Sequence, residues 1–383
     1  MLVFFPQLLY ILTMKNILIL TQQLYPHFAG GSAKVAWQQA LTLAEENNIT
    51  IITPGTDQKT DNIKIIGYPI NSRSHSINDL KSGYQAIKDE LAKKNYDQVI
   101  IHHPYLGKAF LKCKNPTPYI YLFHASTALE TKAQGLDLEH QAGLRSLLAK
   151  IIKPFFVSYT KHLENKLLIA AETIWVFSKF SKSLIQQHFP KVQSTKIQLI
   201  NYQAPAQFQP GDKEKLRQDY QIKPNALIAL TIRRLVPRMG IDWLIDNWRH
   251  VLNKYPNIKL YIIGTGYLEG EIRKKLVQKN LPNQIFLLGK LPEQKLIEYY
   301  QLADFFILPT KDYEGLGLVT LEALACGLPV IGTNIGATPE ILNKVSKHLV
   351  MPTTDSVALL NAIDYVLVNR ENLDLSSFKS TAK

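Results

Sequence analysis

Short, unbroken apolar runs recur along the chain, each followed by residues with helical spacing: NILIL at 16–20, ITIITP at 49–54, QVIIHH at 98–103, YIYLFHA at 119–125 and TIWVFS at 173–178. A strand with water on one face alternates apolar and polar residues, whereas a strand covered on both faces is apolar throughout. These runs therefore predict a parallel sheet with helices packed on either side. The pattern pauses in LINYQAPAQFQPGDKEK (199–215) and restarts with LIALTIRRL (227–235), IKLYIIGTG (258–266), IFLLGKL (285–291), DFFILPT (304–310) and LPVIGTN (328–334). At 383 residues the chain exceeds the roughly 250–300 at which a single core stops growing. The expectation is two doubly wound, Rossmann-like α/β domains: 14–203 and 223–365, with a linker at 204–222, an N-terminal extension at 1–13 and a tail at 366–383. Such domains bind ligands outside the carboxyl ends of their strands, so a cleft between them is expected.

Lys and Arg number 44 against 31 Asp and Glu, a formal charge of +13. The partner should be anionic: nucleic acid, a lipid surface or a phosphorylated metabolite. Aromatic-rich patches for stacking bases are absent, which disfavours nucleic acid. Two cysteines, Cys113 and Cys326, are too few for a disulfide framework or a zinc cluster, and a reducing cytoplasm is expected. The opening MLVFFPQLLYILTMKNILIL has no basic region before its apolar stretch and no small-residue cleavage site, and Pro6, Gln7 and Lys15 interrupt it. Residues 1–13 read as an extension upstream of a natural start at Met14, with a short membrane-touching segment as the rival reading.

The stretch KDYEGLGLVTLEALACGLPVIGT (311–333) carries the sharpest chemistry. A strand ends at ILPT and a helix begins at LVTLEALACG, closed by Gly327, which leaves KDYEGLG as the loop between them. Gly315 and Gly317 permit close backbone approach there, and the amides around Leu318 and Val319 open a helix N-terminus suited to phosphate. Glu314 lies in the loop and Glu322 about a turn inside the helix, too far apart to share a proton but placed to hold two parts of one extended ligand. Carboxylates accept charge-assisted hydrogen bonds from sugar hydroxyls. The bland alternative makes both acids solvated, but the helix is apolar nearly all round, so Glu322 would be a buried acid needing a partner.

The spacing E-x7-E followed by ACGLPVIGTNIGATPEIL resembles the signature of family 4-like (group 1) retaining glycosyltransferases of GT-B fold. The resemblance extends over most of 14–365, through RRLVPRMGIDWLI, YIIGTGYLEGEI and GKLPEQKLIEYYQLADFFILPT. It implies that Glu322 holds the ribose hydroxyls of a nucleotide-sugar donor and that Glu314 contacts the transferred sugar. Arg234 matches the arginine that offsets the leaving diphosphate; the lysine that accompanies it is replaced by Met239, with Arg238 as the proposed substitute, and Arg233 stands where glycine is usual. His124, at a strand's carboxyl end, matches a histidine lining the sugar site. Gly30 and Gly31, lacking dinucleotide-fingerprint spacing, match the loop approaching donor phosphates and acceptor. Gly264, Leu291, Leu316 and the backbone of 315–319 complete the donor-binding set.

The resemblance implies transfer of a sugar to an acceptor hydroxyl with retention, without a side-chain nucleophile and without cofactor. The residues point the same way on metal: no Asp-x-Asp follows a strand, and the adjacent His102 and His103 point to opposite faces of a strand. The expected acceptor is a lipid-linked or cell-surface glycan precursor. The segment 141–170 places Arg145, Lys150, Lys153, Lys161 and Lys166 among Leu, Ile and Phe with only Glu164 in opposition, and is expected to touch an anionic membrane from the cytoplasmic side. A helix pair with a solvated basic face is the rival. A sugar-nucleotide epimerase and a basic scaffold remain alternatives for the whole chain. Loops at 67–82 and 126–145 match no motif and should select donor and acceptor. The family usually continues past LLNAIDYVLVNREN with a helix crossing back to the first domain, whereas this sequence stops at Lys383, an expectation of looser closure.

Overall fold

The computed structural model describes residues 14–28, 30–60, 62–69, 77–135, 144–281 and 283–379. The extension 1–13, and parts of the unassigned loops at 70–76 and 136–143, lie outside them. Fourteen strands are described: β1 Asn16–Leu20, β2 Asn48–Pro54, β3 Gln58–Lys59, β4 Ile63–Tyr68, β5 Gln98–Ile101, β6 Tyr119–Leu122, β7 Thr173–Val176, β8 Ile197–Leu199, β9 Leu227–Ile232, β10 Ile258–Ile263, β11 Ile285–Gly289, β12 Phe305–Leu308, β13 Val330–Thr333 and β14 Val350–Met351.

They form two sheets, ordered β3-β4-β2-β1-β5-β6-β7-β8 and β11-β10-β9-β12-β13-β14. The registered pairs are parallel except the short edge pair β3–β4, Gln58 facing Ile65. Each sheet reverses its winding direction once, between β1 and β5 in the first and between β9 and β12 in the second. Crevices at such reversals are where doubly wound folds place their ligands. The unbroken apolar runs are the central strands, and β6, β12 and β13 are buried along their whole length.

The chain divides into two compact units, Met1–Leu122 with Lys166–Trp175, and Phe123–Asn165 with Val176–Lys383. In the first, Ile17, Ile19, Ile51 and Ile100 pack beneath the helix Gly31–Ala44, which buries Ala36 and Ala40. In the second, the helix Ile241–Lys254 shows how spacing makes packing: Ile241, Leu244, Ile245, Trp248, Val251 and Leu252 recur at three- and four-residue intervals and all are buried. Its neighbours in that core include Phe305, Phe306 and Tyr300. Phe208 of the Pro-bearing stretch is inserted there too, edge-on to Tyr300 with ring centroids 6.0 Å apart.

Asp304, just before β12, ties three further segments to this core. Its carboxylate accepts from Lys213 Nζ at 2.8 Å, Arg217 Nη1 at 3.1 Å, Arg370 Nη1 at 3.0 Å and the Ile228 amide at 2.7 Å. Burial alone would raise its pKa, but these cations and the amide hold it below the usual carboxylate range. A cavity of about 800 Å³ opens around this cluster, at the amino ends of the strands and away from the loops described next.

Candidate functional site

The loops after β9, β10, β12 and β13 converge at the carboxyl end of the second sheet, and glycines allow the approach. At Gly264 (φ +136°) a Cβ would lie 2.0 Å from the Arg233 carbonyl oxygen; at Gly240 (φ +74°) it would lie 1.8 Å from that of Pro309. No side chain fits either place, so the loop 233–240 lies flush against its neighbours on both sides. Lys311 continues the seam: its amide donates to Arg238 O at 2.8 Å, and its Nζ reaches Asp242 at 2.9 Å.

Glu314 is 8% exposed, so it is no solvated loop acid. Its carboxylate accepts from Thr310 Oγ1 at 3.0 Å and is ion-paired with Arg233, whose Nη2 also donates to Thr310 Oγ1 at 2.7 Å. Arg233 Nε is buried with no hydrogen-bond partner among the described residues. The Glu314 carbonyl accepts from the Ala337 amide at 2.8 Å, and a Cβ at Gly336 (φ +62°) would come within 2.2 Å of that oxygen.

Gly317, with φ +78°, starts the helix Leu318–Ala325, and Gly327, also at φ +78°, follows its end. Glu322 is 3% exposed and accepts from the Tyr300 hydroxyl at 2.9 Å. Its charge is felt around it: burial and then the Glu322 carboxylate push the Cys326 thiol up to about 12, and both effects also raise the Tyr300 and Tyr202 phenols. The buried acid thus has a partner, as the cost of burying a lone carboxylate requires.

Arg238 is buried too. It pairs with Glu130 of the helix Thr127–Gln134 and donates to Tyr313 O at 3.0 Å and to Gln134 Oε1 at 3.2 Å. Met239 beside it is buried, whereas Arg234 is exposed on the same loop. His124 meets the acid loop through its backbone: a Cβ at Gly315 would lie 2.5 Å from His124 O, and the His124 ring sits 6.0 Å from that of Phe177. The Gly315 carbonyl in turn accepts from Ser178 Oγ at 2.6 Å. Glu340, from the GATPEIL stretch, accepts from the Lys179 and Phe180 amides at 2.8 and 2.6 Å, a carboxylate at the start of the helix Lys179–His188.

The structure therefore gathers Arg233, Arg234, Arg238, His124, Gly264 and the run 314–322 within the second unit. Leu291, Leu316 and Val319 are partly buried against that unit's core. Gly30 and Gly31 belong to the first unit, where Gly30 precedes the first turn of the helix Gly31–Ala44 and a Cβ on it would approach Gln23 Oε1 at 3.1 Å. Of the adjacent histidines, His102 lies just beyond β5, its Nε2 2.7 Å from Gln39 Oε1, and burial holds its pKa near 3. Thr310, Tyr300, Glu130 and Ser178 are site partners that sequence reasoning did not single out. Only Arg233 left a signal, an arginine at a usual glycine position.

Two doubly wound sheets with this convergence of loops define the class: an α/β protein of GT-B architecture. Sucrose-phosphate synthase from Thermosynechococcus elongatus shares the fold with a TM-score of 0.77 at 19% identity, over 93% of this chain and 90% of that one. The Anabaena protein HepE, solved in complex with UDP-glucose, does so with a TM-score of 0.70 at 16% identity, over 93% and 91%. Residues 212–379, which hold the acid loop and the arginine loop, match the family Glycosyl transferases group 1. An uncharacterized glycosyltransferase of Methanocaldococcus jannaschii is 27% identical over 315 residues, 78% of this chain and 71% of its own length. The GDP-mannose-dependent monoacylated alpha-(1-6)-phosphatidylinositol monomannoside mannosyltransferase of Corynebacterium glutamicum is 35% identical over 137 residues, only 34% of this chain and 35% of that protein.

Proposed function

We propose that the protein transfers a sugar from a nucleotide-diphosphate sugar to an acceptor hydroxyl, with retention at the anomeric carbon and without a metal ion. The observation that carries this reading is the pair of buried carboxylates, Glu314 and Glu322, set eight positions apart on the loop and helix after β12, inside the group 1 segment and at the reversal of the second sheet. On this reading Glu322 takes the ribose hydroxyls, exchanging the Tyr300 hydroxyl for them or sharing with it, and Glu314 takes the transferred sugar. The diphosphate rests on the amides that begin the helix Leu318–Ala325 and on Arg234, where fixed dipoles and charge offset the anion that grows as the bond to the sugar breaks. Arg238, held by Glu130 and the Tyr313 carbonyl, acts on the same group chiefly by fixing the loop that carries Glu314. His124 positions the sugar. No residue is assigned as a nucleophile; orientation and electrostatics supply the acceleration.

HepE was solved with UDP-glucose and the Corynebacterium enzyme acts on a phosphatidylinositol mannoside, which supports a nucleotide-sugar donor and a lipid-linked or cell-surface glycan acceptor for this chain. Work on the cytoplasmic face of a membrane fits that acceptor; no helix among the described residues is long and apolar enough to cross one. The test is a panel of nucleotide sugars followed by thermal unfolding. A donor at 100 times its dissociation constant adds about 2.7 kcal/mol of stability, and Glu322→Ala should abolish that gain while remaining folded by circular dichroism. A Glu322→Ala protein that holds its donor as tightly as before refutes the assignment.

A further inference from the structure

The helix Leu144–Ala170 presents an apolar face that is exposed among the described residues. Leu147, Leu148, Ile151, Ile152, Phe155 and Tyr159 are all exposed, Phe155 at 74%. At 3.6 residues per turn they fall within an arc of about 140°; Ala149 and Thr160 on the far side are buried, as is Leu163 at the edge of the arc. Six large exposed apolar side chains on one helix face exceed the scattered singles normal for a soluble surface. Lys150 and Lys161 are exposed on the flank of this stripe, and the only acid of the helix, Glu164, is buried and accepts from Ser126 Oγ at 2.7 Å.

The stripe leads into a basic cleft. A cavity of about 310 Å³ lies on the same exposed side, one to two turns further along, and Lys161, His162, His188 and Lys191 line it with Ser158 and Asn165. No acid lines it. The local potential is positive: after burial, the neighbouring Lys161 and Lys132 charges are what lower the His188 pKa. Lysine and histidine donors around a small opening suit a phosphate group.

We propose that this face docks on an anionic phospholipid bilayer, the stripe entering the boundary between headgroups and acyl chains while the Lys161–His162–His188–Lys191 cleft takes a lipid phosphate. Apolar burial and cationic attraction are the two forces that hold an amphipathic helix in a membrane interface, and this helix supplies both. The inference rests on the lipid-side part of the proposed function and names the surface that serves it.

The experiment is co-sedimentation of the full chain with vesicles of phosphatidylcholine alone or mixed with phosphatidylglycerol, beside thermal shift with nucleotide sugars. The wild type should sediment with the anionic vesicles only, and less so as salt rises. Ile151→Ser/Phe155→Ser should lose most of that binding. Lys161→Glu/Lys191→Glu should lose the preference for anionic lipid, with a drop of about fivefold or more per lysine. Both variants should keep the donor response, since they lie outside the donor set. Three results overturn the proposal: equal binding to both vesicles, binding of inorganic phosphate without vesicle binding, or a wild-type dimer that Phe155→Ser converts to a monomer. A donor response without vesicle binding leaves the transferase reading standing, and vesicle binding without any donor response removes that reading instead.

Discussion

The Arg233–Glu314 pair gives the most exacting test of the site. Both side chains are desolvated, with 6% and 10% of their surface exposed, so neither charge can turn to water when the other is removed. Arg233→Met leaves the Glu314 carboxylate buried against the Thr310 hydroxyl, and breaking a buried pair in this way costs about 3–5 kcal/mol. For units of this size each kcal/mol lowers the midpoint of thermal unfolding by roughly 2–4 °C, so a drop of about 6–20 °C is expected. Glu314→Leu should be similarly costly because it strands the guanidinium. The double variant Arg233→Met/Glu314→Leu, which replaces the pair with apolar groups of comparable volume, should melt above both single variants and close to the wild type. Differential scanning calorimetry of the four proteins reads this directly. A Arg233→Met protein that melts within about 2 °C of wild type, or a double variant as low as the two single losses added together, would show that the pair is not coupled and the argument fails.

Two further predictions concern backbone and pH. Gly336→Ala forces a left-handed φ on alanine, roughly 1–2 kcal/mol, and drives its Cβ toward Glu314 O; both the melting point and nucleotide-sugar affinity should fall in the same titration series. Burial raises the Glu164 pKa to about 7 against the pull of Ser126 Oγ and the Thr127 amide. A carboxyl with a raised folded-state pKa binds its proton more tightly in the native state, so the stability it gives is complete below the unfolded value of about 4.3 and is lost as pH rises through about 7, some 3 kcal/mol in all. Urea denaturation at about pH 5 and about pH 8 should show that loss in the wild type and a flatter profile in Glu164→Gln.

The strands were legible where both faces are covered, because only then is the sequence apolar without a break. The half-covered β4 escaped notice: Ile63 and Ile65 are buried and Lys64 is exposed, an alternation that reads as ordinary surface. The short β3, β8 and β14 carry too few residues for any pattern. Apolar runs also overshot strand ends, as in LIALTIRRL, where β9 stops at Ile232 and the last residues form the arginine loop. The two acids and the helix that carries Glu322 were legible because glycine placement and the apolar surround make a buried carboxylate conspicuous. Their partners were not, since Arg233 and Glu314 are 81 residues apart and Arg238 and Glu130 are 108 apart, and no local rule links such positions.

Those long-range partners change what the site's charge can do. The loop TIRRLVPRMG reads as three cations poised for a diphosphate, but two of them, Arg233 and Arg238, are buried against Glu314 and Glu130. A charge that faces a carboxylate in a low-dielectric surround has most of its field cancelled at a ligand a few ångströms farther off. Met239 contributes no charge where the group 1 resemblance implies a lysine, and it is packed into the fold. On the proposed reading, stabilisation of the leaving diphosphate then falls on Arg234 and on the amides that follow Gly317. Arg234→Ala should accordingly weaken transfer more than Arg238→Ala does at equal folded fraction, and single-turnover rates with the responding donor distinguish the two. Equal losses would mean that Arg238 leaves Glu130 when the donor binds and serves as a cation after all.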